Sequence, residues 1–246
     1  MPRIASAILA GGEGKRFRPY TDLIPKPMIP VGPEEKPLVE YIIRWISRYG
    51  IEDFILLVGY RWRQLANYLG DGSRLGVRIV YSIDGGGFKG TGGALLKAWR
   101  EGLLSGYDVA VVWYGDIISM VDVGDLVRTH TGCNAQATVV VTERYQVPVG
   151  IARVDEQGYI SELHEKPWLN VKATIGVMAL QPSILDGLED SLGTGFDIMG
   201  DLIPWMIAGE KRVKAYIYKG PWYDVGSLER YEKLETSMFR EFLSSS

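Results

Sequence analysis

Along the first half of the chain, short apolar runs alternate with segments whose apolar positions recur at helical spacing. Ile4–Leu9 reads as a buried strand. Leu38–Tyr49 carries Leu38, Tyr41, Ile42, Trp45 and Ile46 on one face, the i, i+3, i+4 pattern of an amphipathic helix. Phe54–Val58, Val77–Ile83 and Asp108–Tyr114 predict three further strands, with helices over Arg63–Leu69 and Ala94–Leu104 between them. Strands that alternate with helices pair in parallel through crossovers. The first half therefore predicts a doubly wound, Rossmann-like sheet.

The second half has a different rhythm. Ala135–Thr142, Gly150–Val154, Tyr159–Leu163, Thr174–Leu180 and Val213–Tyr218 read as strands, interrupted by helical pieces at Ser183–Leu188 and Met199–Ala208. From Ser227 to Leu243 a terminal helix is expected, with Leu228, Tyr231, Leu234 and Met238 on one face and Ser244–Ser246 frayed. No repeat or low-complexity linker divides the chain. The fold class expected is α/β: a Rossmann-like doubly wound mixed sheet with a smaller, β-rich lobe. Residues 1–246 are read as a single two-lobed domain, its halves falling at about 1–120 and 121–246.

Composition narrows the function only slightly. Of 246 residues, 46% are hydrophobic, enough for a large core, and 27 basic against 30 acidic residues give a net charge of −3. This balance does not describe a protein that coats nucleic acid, so any positive groups needed for phosphates must be concentrated locally. One cysteine, Cys133, excludes an intramolecular disulfide and fits a reducing cytoplasm. No apolar stretch is long enough to span a bilayer. A cytoplasmic protein without membrane or nucleic-acid partners is expected, and a homo-oligomer is left open.

The chemistry concentrates in Leu9-Ala10-Gly11-Gly12-Glu13-Gly14-Lys15-Arg16, directly after the first strand. Three glycines let the backbone approach a ligand, and exposed N–H groups in such a loop cradle phosphate oxygens. Arg16 and Lys26 add full charges, with Lys26 held between two prolines in Pro25-Lys26-Pro27. The loop matches neither the Walker A pattern nor the GxGxxG dinucleotide fingerprint. His130, His164 and Cys133 have no metal-ligand spacing. The tryptophans read as core or pocket walls, with Trp168 bordering the second-half site.

Gly11-Gly12-x-Gly14-x-Arg16 followed by Pro25-Lys26-Pro27, then Gly90-Thr91-Gly92-Gly93, Gly115-Asp116, Glu165-Lys166-Pro167 and Trp222-Tyr223-Asp224-Val225-Gly226 run in order along nearly the whole chain. In this they resemble the sugar-phosphate nucleotidylyltransferases, and most nearly the mannose 1-phosphate and manno-heptose 1-phosphate guanylyltransferases. The resemblance implies in-line displacement at the α-phosphorus of a nucleoside triphosphate by a sugar 1-phosphate, with Mg²⁺ on Asp116 and Asp224. It implies Arg16 and Lys26 as catalytic cations, and Leu9, Ala10, Gly11, Gly12, Gly14, Lys15, Asp84, Gly90 and Thr91 as nucleotide contacts. It implies a sugar-phosphate site at Gly150, Glu165, Lys166 and Thr174.

Four positions depart from the family pattern: Thr174, where Asn is usual, Tyr114, where Asn usually precedes Gly-Asp, Lys15, where Thr is common, and Lys89, which replaces an apolar residue in a loop one residue longer than usual. In the family this region meets the nucleobase, so the resemblance implies that Asp84, with Gly90-Thr91-Gly92-Gly93, favours GTP: a carboxylate accepts from both N1–H and N2–H of guanine. A uridylyl- or thymidylyltransferase acting on glucose 1-phosphate is the alternative. Relatives of the family also lead to a non-catalytic sensor of nucleotide sugars, although the retained Arg16, Lys26, Asp116 and Asp224 argue against it. A dehydrogenase is disfavoured, since Val58-Gly59-Tyr60-Arg61 offers no acidic ribose ligand. Many relatives continue into a left-handed β-helix, for which no segment is expected here.

Overall fold

The computed structural model describes residues 2–232, 234 and 239. Seven strands form its main sheet: β1 (Ile4–Ala10), β2 (Asp53–Val58), β3 (Arg78–Ile83), β4 (Val109–Tyr114), β5 (Ala137–Thr142), β6 (Ala173–Leu180) and β7 (Val213–Tyr218). Their order is β7-β5-β6-β4-β1-β2-β3. Every pairing is parallel except those of β6, which runs antiparallel to β4 and β5. The expected mixed, doubly wound sheet is present. Its order reverses between β1 and β4, the place where open α/β sheets bind ligands at the carboxyl ends of their strands.

Strand β1 explains why the sheet is covered on both sides. Its alternate residues face opposite ways, so Ile8 and Ala10 join one core with Leu56, Trp113 and Leu38, while Ala5 and Ala7 join another with Ile55, Val112 and Leu96. Helices α1 (Leu38–Ser47), α2 (Trp62–Leu69) and α4 (Val123–Gly132) are built largely into the first core, and α3 (Gly90–Arg100) into the second. Near-continuous apolar strands are what a sheet buried on both faces requires.

Helix α1 also props the site. Its first residue, Leu38, donates its N–H to Ile29 O at 3.0 Å, directly behind the turn that carries Lys26. Fully buried Glu40 is held by Arg44, Arg74 and Tyr68. Burial opposes its charge, but these three partners together keep the carboxyl below its usual range.

Several elements differ from the sequence reading. The helix expected at Ala94–Leu104 begins four residues earlier, because Gly90-Thr91-Gly92-Gly93 is its first turn. Glycines read as a loop, yet here they let the helix pass close to Phe196, whose ring and carbonyl lie against Gly92. Helix α4 escaped notice because apolar Val123, Leu126 and Val127 are diluted by glycine, threonine and charge; its start is capped by Asp122 Oδ1, which accepts from Asp125 N at 2.7 Å.

The piece expected at Ser183–Leu188 is a 3-10 turn at Pro182–Leu185 followed by a short helix at Glu189–Leu192. Met199–Ala208 opens as a π-helical turn, Ile198–Leu202, before the α-helix Ile203–Ala208. The second-half strands β5, β6 and β7 extend the main sheet. Standing apart from it are the hairpin Ile151–Val154/Ile160–His164 and three short ribbons, Tyr145–Gln146/Trp168–Leu169, Ile117–Ser119/Trp222–Asp224 and Pro30–Val31/Lys36–Pro37. Of the terminal helix, Leu228–Glu232 is helical, with Leu228, Tyr231 and Leu234 against the core and Phe239 buried; the other residues after 232, Met238 included, lie outside the described residues. No helix among the described residues is long and apolar enough to cross a membrane.

Candidate active site

Two clefts are present: the first opens at the carboxyl ends of the central strands, the second beyond the ends of β5 and β7. The first, about 610 Å³, is lined by Leu9, Ala10, Gly11, Gly12, Gly14, Lys15, Arg16, Lys26, Asp84, Gly90, Thr91 and Asp116, all expected from the sequence. Tyr114, Asp197 and Gly226 line it as well.

The glycine loop leaves β1 and turns through Gly14, which adopts φ 63°, into a single 3-10 turn at Lys15–Phe17. Among the described residues, the N–H groups of Gly12, Glu13 and Gly14 donate to no other protein group. They are therefore available to an anion at the mouth of the sheet. Phe17 is buried and anchors the turn, leaving Lys15 and Arg16 exposed at the cleft.

Asp84 follows β3, and its carboxylate lies over the ends of β1 and β2. A side chain on Gly11 would come within 2.6 Å of it and one on Gly59 within 2.1 Å. Only glycine at these two positions leaves the carboxylate its place. Desolvation there pushes the Asp84 carboxyl up, opposed by Lys97. Gly59 was not singled out from the sequence, where it reads as an ordinary turn.

The N-terminus of α3 is closed. Thr91 N and Oγ1 both donate to Asp197 Oδ1 at 3.0 Å, and Phe196 O accepts from Gly92 N at 2.9 Å and Gly93 N at 3.1 Å. The loop ending at Asp197 thus takes up the donors that a free helix end would offer a phosphate. Tyr114 lies in the same corner, and burial pushes its phenol up against the opposing influence of Thr91. Asp197 gave no signal beyond that of a residue preceding a helix.

The two aspartates 108 positions apart in sequence number meet between the clefts, as Asp116 and Asp224. Gly115 N donates to Leu9 O at 2.9 Å, which brings Asp116 back over β1. A short antiparallel ribbon, Ile117–Ser119 with Trp222–Asp224, sets Asp224 opposite Ile117, and Val225 N donates to Asp116 O at 2.8 Å. Gly226 is needed here: a side chain on it would lie 2.5 Å from Asp224 Oδ1. Burial, and then the charge of Asp116, push the Asp224 carboxyl up, while Arg230, Lys26 and Arg16 pull it down.

Each carboxylate has a cation. Lys26 Nζ lies 2.6 Å from Asp116 Oδ2, with its side chain only 11% exposed. Arg230 pairs with Asp224 Oδ2. Asp224 Oδ1 is buried and has no hydrogen-bond partner. An unpaired buried carboxylate oxygen is costly unless something charged faces it. Among the described residues no cluster of three or more His, Cys, Asp or Glu side chains is set to hold a metal. Two hard oxygen donors with room for phosphate oxygens and water suit magnesium, which retains such ligands.

The second cleft, about 970 Å³, is lined by Tyr145, Lys166, Trp168, Trp222, Asp224 and Arg230 among others. Tyr145 and Trp222 stack at 6.4 Å, and Arg144 lies 4.8 Å over the Trp168 ring. Lys166 Nζ is 3.9 Å from both Glu165 and Glu229. Gly150 and Glu165 face each other at the base of the hairpin, and Thr174 is exposed on β6; these three line neither cleft. Arg144, Tyr145 and Arg230 were missed, since each reads as an ordinary surface residue until the ribbons fold.

A glycine loop and paired carboxylates at the switch point of a mixed sheet, with a second, cationic cleft beside them, define a phosphate-handling α/β protein. Residues 5–240 match the family described as nucleotidyl transferase, and the chain belongs to that family. It is 29% identical over 239 residues to a UTP–glucose-1-phosphate uridylyltransferase of Synechocystis, covering 91% of this chain and 60% of that one. It is 28% identical to a D-glycero-alpha-D-manno-heptose 1-phosphate guanylyltransferase of Aneurinibacillus thermoaerophilus, covering 94% and 96%. The crystal structure of HddC from Yersinia pseudotuberculosis complexed with GMP-PN superposes with a TM-score of 0.70 at 22% identity, covering 95% of this chain and 97% of that one. The chain spans about 60% of the length of the first of these curated relatives.

Proposed function

We propose that this chain is a sugar-1-phosphate nucleotidylyltransferase that uses a nucleoside triphosphate, with GTP favoured, and a mannose-like sugar 1-phosphate. The reading takes 1–246 as one domain, with the nucleotide at the first half and the sugar at the second. The observation that carries it is the meeting of Asp116 and Asp224 on the wall between a glycine-loop cleft and an aromatic, cationic one. Family membership and relatives named for this reaction support it.

The sugar phosphate is already ionised at neutral pH, so it needs no general base. One of its oxygens forms a bond to the α-phosphorus while the bond from that phosphorus to the β-bridging oxygen breaks, and pyrophosphate leaves with the electron pair. The work is to hold two anions in line and spread their charge. The free N–H groups of the glycine loop bind the triphosphate, with Lys15 and Arg16 over its outer phosphates. Lys26 turns from Asp116 to the α-phosphate. Lys166 receives the sugar phosphate, and Trp168 and Trp222 flank the sugar. Mg²⁺ held by Asp116 and Asp224 would supply Lewis-acid neutralisation of the phosphate oxygens.

Asp84 at the nucleotide end supports guanine, whereas relatives named as guanylyl- and uridylyltransferases match to similar extents. The uridylyl reading therefore stands as the second one. A pyrophosphate-release matrix of five nucleoside triphosphates against several sugar 1-phosphates tests both. Highest kcat/KM with GTP and a manno-configured sugar is expected. Preference for UTP or dTTP with glucose 1-phosphate overturns the base and sugar assignment. Binding of nucleotide sugars without turnover of any pair overturns catalysis in favour of sensing.

A further inference from the structure

Arg230 belongs to neither the glycine-loop motif nor the Glu165-Lys166-Pro167 motif, yet it sits on the wall the two clefts share. It projects from the short helix Leu228–Glu232, six residues after Asp224. One guanidinium nitrogen pairs with Asp224 Oδ2, and the other lies 3.5 Å from the Tyr145 hydroxyl in the second cleft. The side chain is 34% exposed, so it retains room to move. Tyr145 is itself fixed by stacking on Trp222.

Asp224 therefore divides its two oxygens: Oδ2 is taken by Arg230, and Oδ1 is buried without a partner. Lys26 occupies Asp116 in the same manner. Each carboxylate of the shared wall thus already has a cation against it. A divalent cation arriving at the free Oδ1 of Asp224 would stand beside the guanidinium on Oδ2, and the repulsion between the two cations would weaken the guanidinium's hold on the carboxylate. A guanidinium displaced from Asp224 has an acceptor beside it, Tyr145, and a cleft in front of it that already carries Lys166. Arginine's fork matches phosphate oxygens in pairs, which the single ammonium of Lys166 does not.

The geometry points to Arg230 as an exchangeable counter-ion of Asp224 that, once a divalent cation takes the carboxylate, turns into the second cleft and binds the phosphate of the sugar 1-phosphate. The inference rests on the nucleotidyl-transfer reading above. It makes cation loading and sugar-phosphate capture consecutive uses of one side chain. The helix that carries Arg230 also touches the glycine-loop end, because Tyr231 packs edge-on to Phe17 at 5.8 Å.

The test uses the full chain and Mn²⁺ as the probe cation. Binding is read by electron paramagnetic resonance without substrates, and sugar 1-phosphate KM and kcat by pyrophosphate release. Arg230→Ala is expected to bind Mn²⁺ about fivefold more tightly, because the competitor is gone, and to raise the sugar 1-phosphate KM about tenfold or more. Arg230→Lys is expected to restore the wild-type Mn²⁺ affinity and only part of the KM. Circular dichroism and the unfolding temperature establish that both variants are folded; if Arg230→Ala is not, the lysine variant alone decides through its KM. Mn²⁺ affinity and KM both within about twofold of wild type overturn the inference. Asp224→Asn serves as the reference: if it leaves Mn²⁺ binding unchanged, the metal reading falls and takes this inference with it. If it weakens Mn²⁺ while Arg230→Ala changes nothing, only the role of Arg230 falls.

Discussion

The two clefts are built from different materials. The first is a property of the main sheet: Gly11, Gly59, Asp84 and Asp116 each lie within two residues of the end of one of four adjacent strands, whose parallel pairing fixes their spacing. The second hangs on minor pieces, among them a two-residue ribbon and one turn of helix, with the hairpin beside it exposing Ile160 at 63% and Leu163 at 65%. A site on rigid strand ends holds its donors without help from the ligand, whereas one on ribbons depends on ion pairs and ring stacking for its shape. Nucleotide binding is accordingly expected to be largely pre-formed, and sugar binding to involve more adjustment.

The sharpest way to break this contrast is at the wall the clefts share. Asp116→Asn and Asp224→Asn should each lower kcat about a hundredfold or more while leaving the fold intact, read by pyrophosphate release and circular dichroism. Near-normal turnover in both would remove the reason for treating the clefts as one site. Next in size, Lys166→Met should raise the sugar 1-phosphate KM about tenfold to a hundredfold and leave the triphosphate KM within about twofold. Equal changes in both constants would mean the clefts do not divide the substrates.

Gly59→Ala should do the converse more mildly. The new methyl group meets the Asp84 carboxylate, so the triphosphate KM should rise several-fold, about five, and the sugar phosphate KM should hold. An unchanged triphosphate KM would detach Asp84 from the nucleotide.

The smallest effect comes from a residue in neither cleft. His130 is 2% exposed, bonded to Thr138 at 3.0 Å, and burial lowers its pKa. The unfolded chain then takes up a proton near the ordinary value of about 6.5 while the folded chain still refuses it, so stability is complete above that pH and falls as the pH drops below it. Thermal unfolding between about pH 7 and pH 5 should show that slope, and His130→Leu should flatten it without altering either KM. Persistence of the slope would assign it elsewhere.

Legibility from sequence follows the same division. Around the first cleft, chemistry is contiguous with the element that presents it, so the glycine loop, Lys26 and Asp116 could be named from local pattern. Asp224 could be named as well, but its arrival beside Asp116 depends on a three-residue ribbon that no periodicity announces. Asp197 caps a helix that starts over a hundred residues earlier, and Arg230 acquires meaning only from Tyr145, 85 positions away. Thr174, which the resemblance assigns to the sugar pocket, lies exposed on β6 outside both cavities. Helix α4 was lost because a half-polar, glycine-containing segment carries too weak a hydrophobic rhythm to stand out.

The glycine loop runs into one 3-10 turn rather than into a long helix. A long helix would lend its aligned peptide dipoles to a bound polyphosphate, and that field is a permanent property of the backbone. Here the full charges beside the loop's N–H groups include the exposed Lys15 and Arg16, which dissolved ions screen. Triphosphate affinity should consequently decline steeply with ionic strength, which also allows a highly charged pyrophosphate to escape once it has been made.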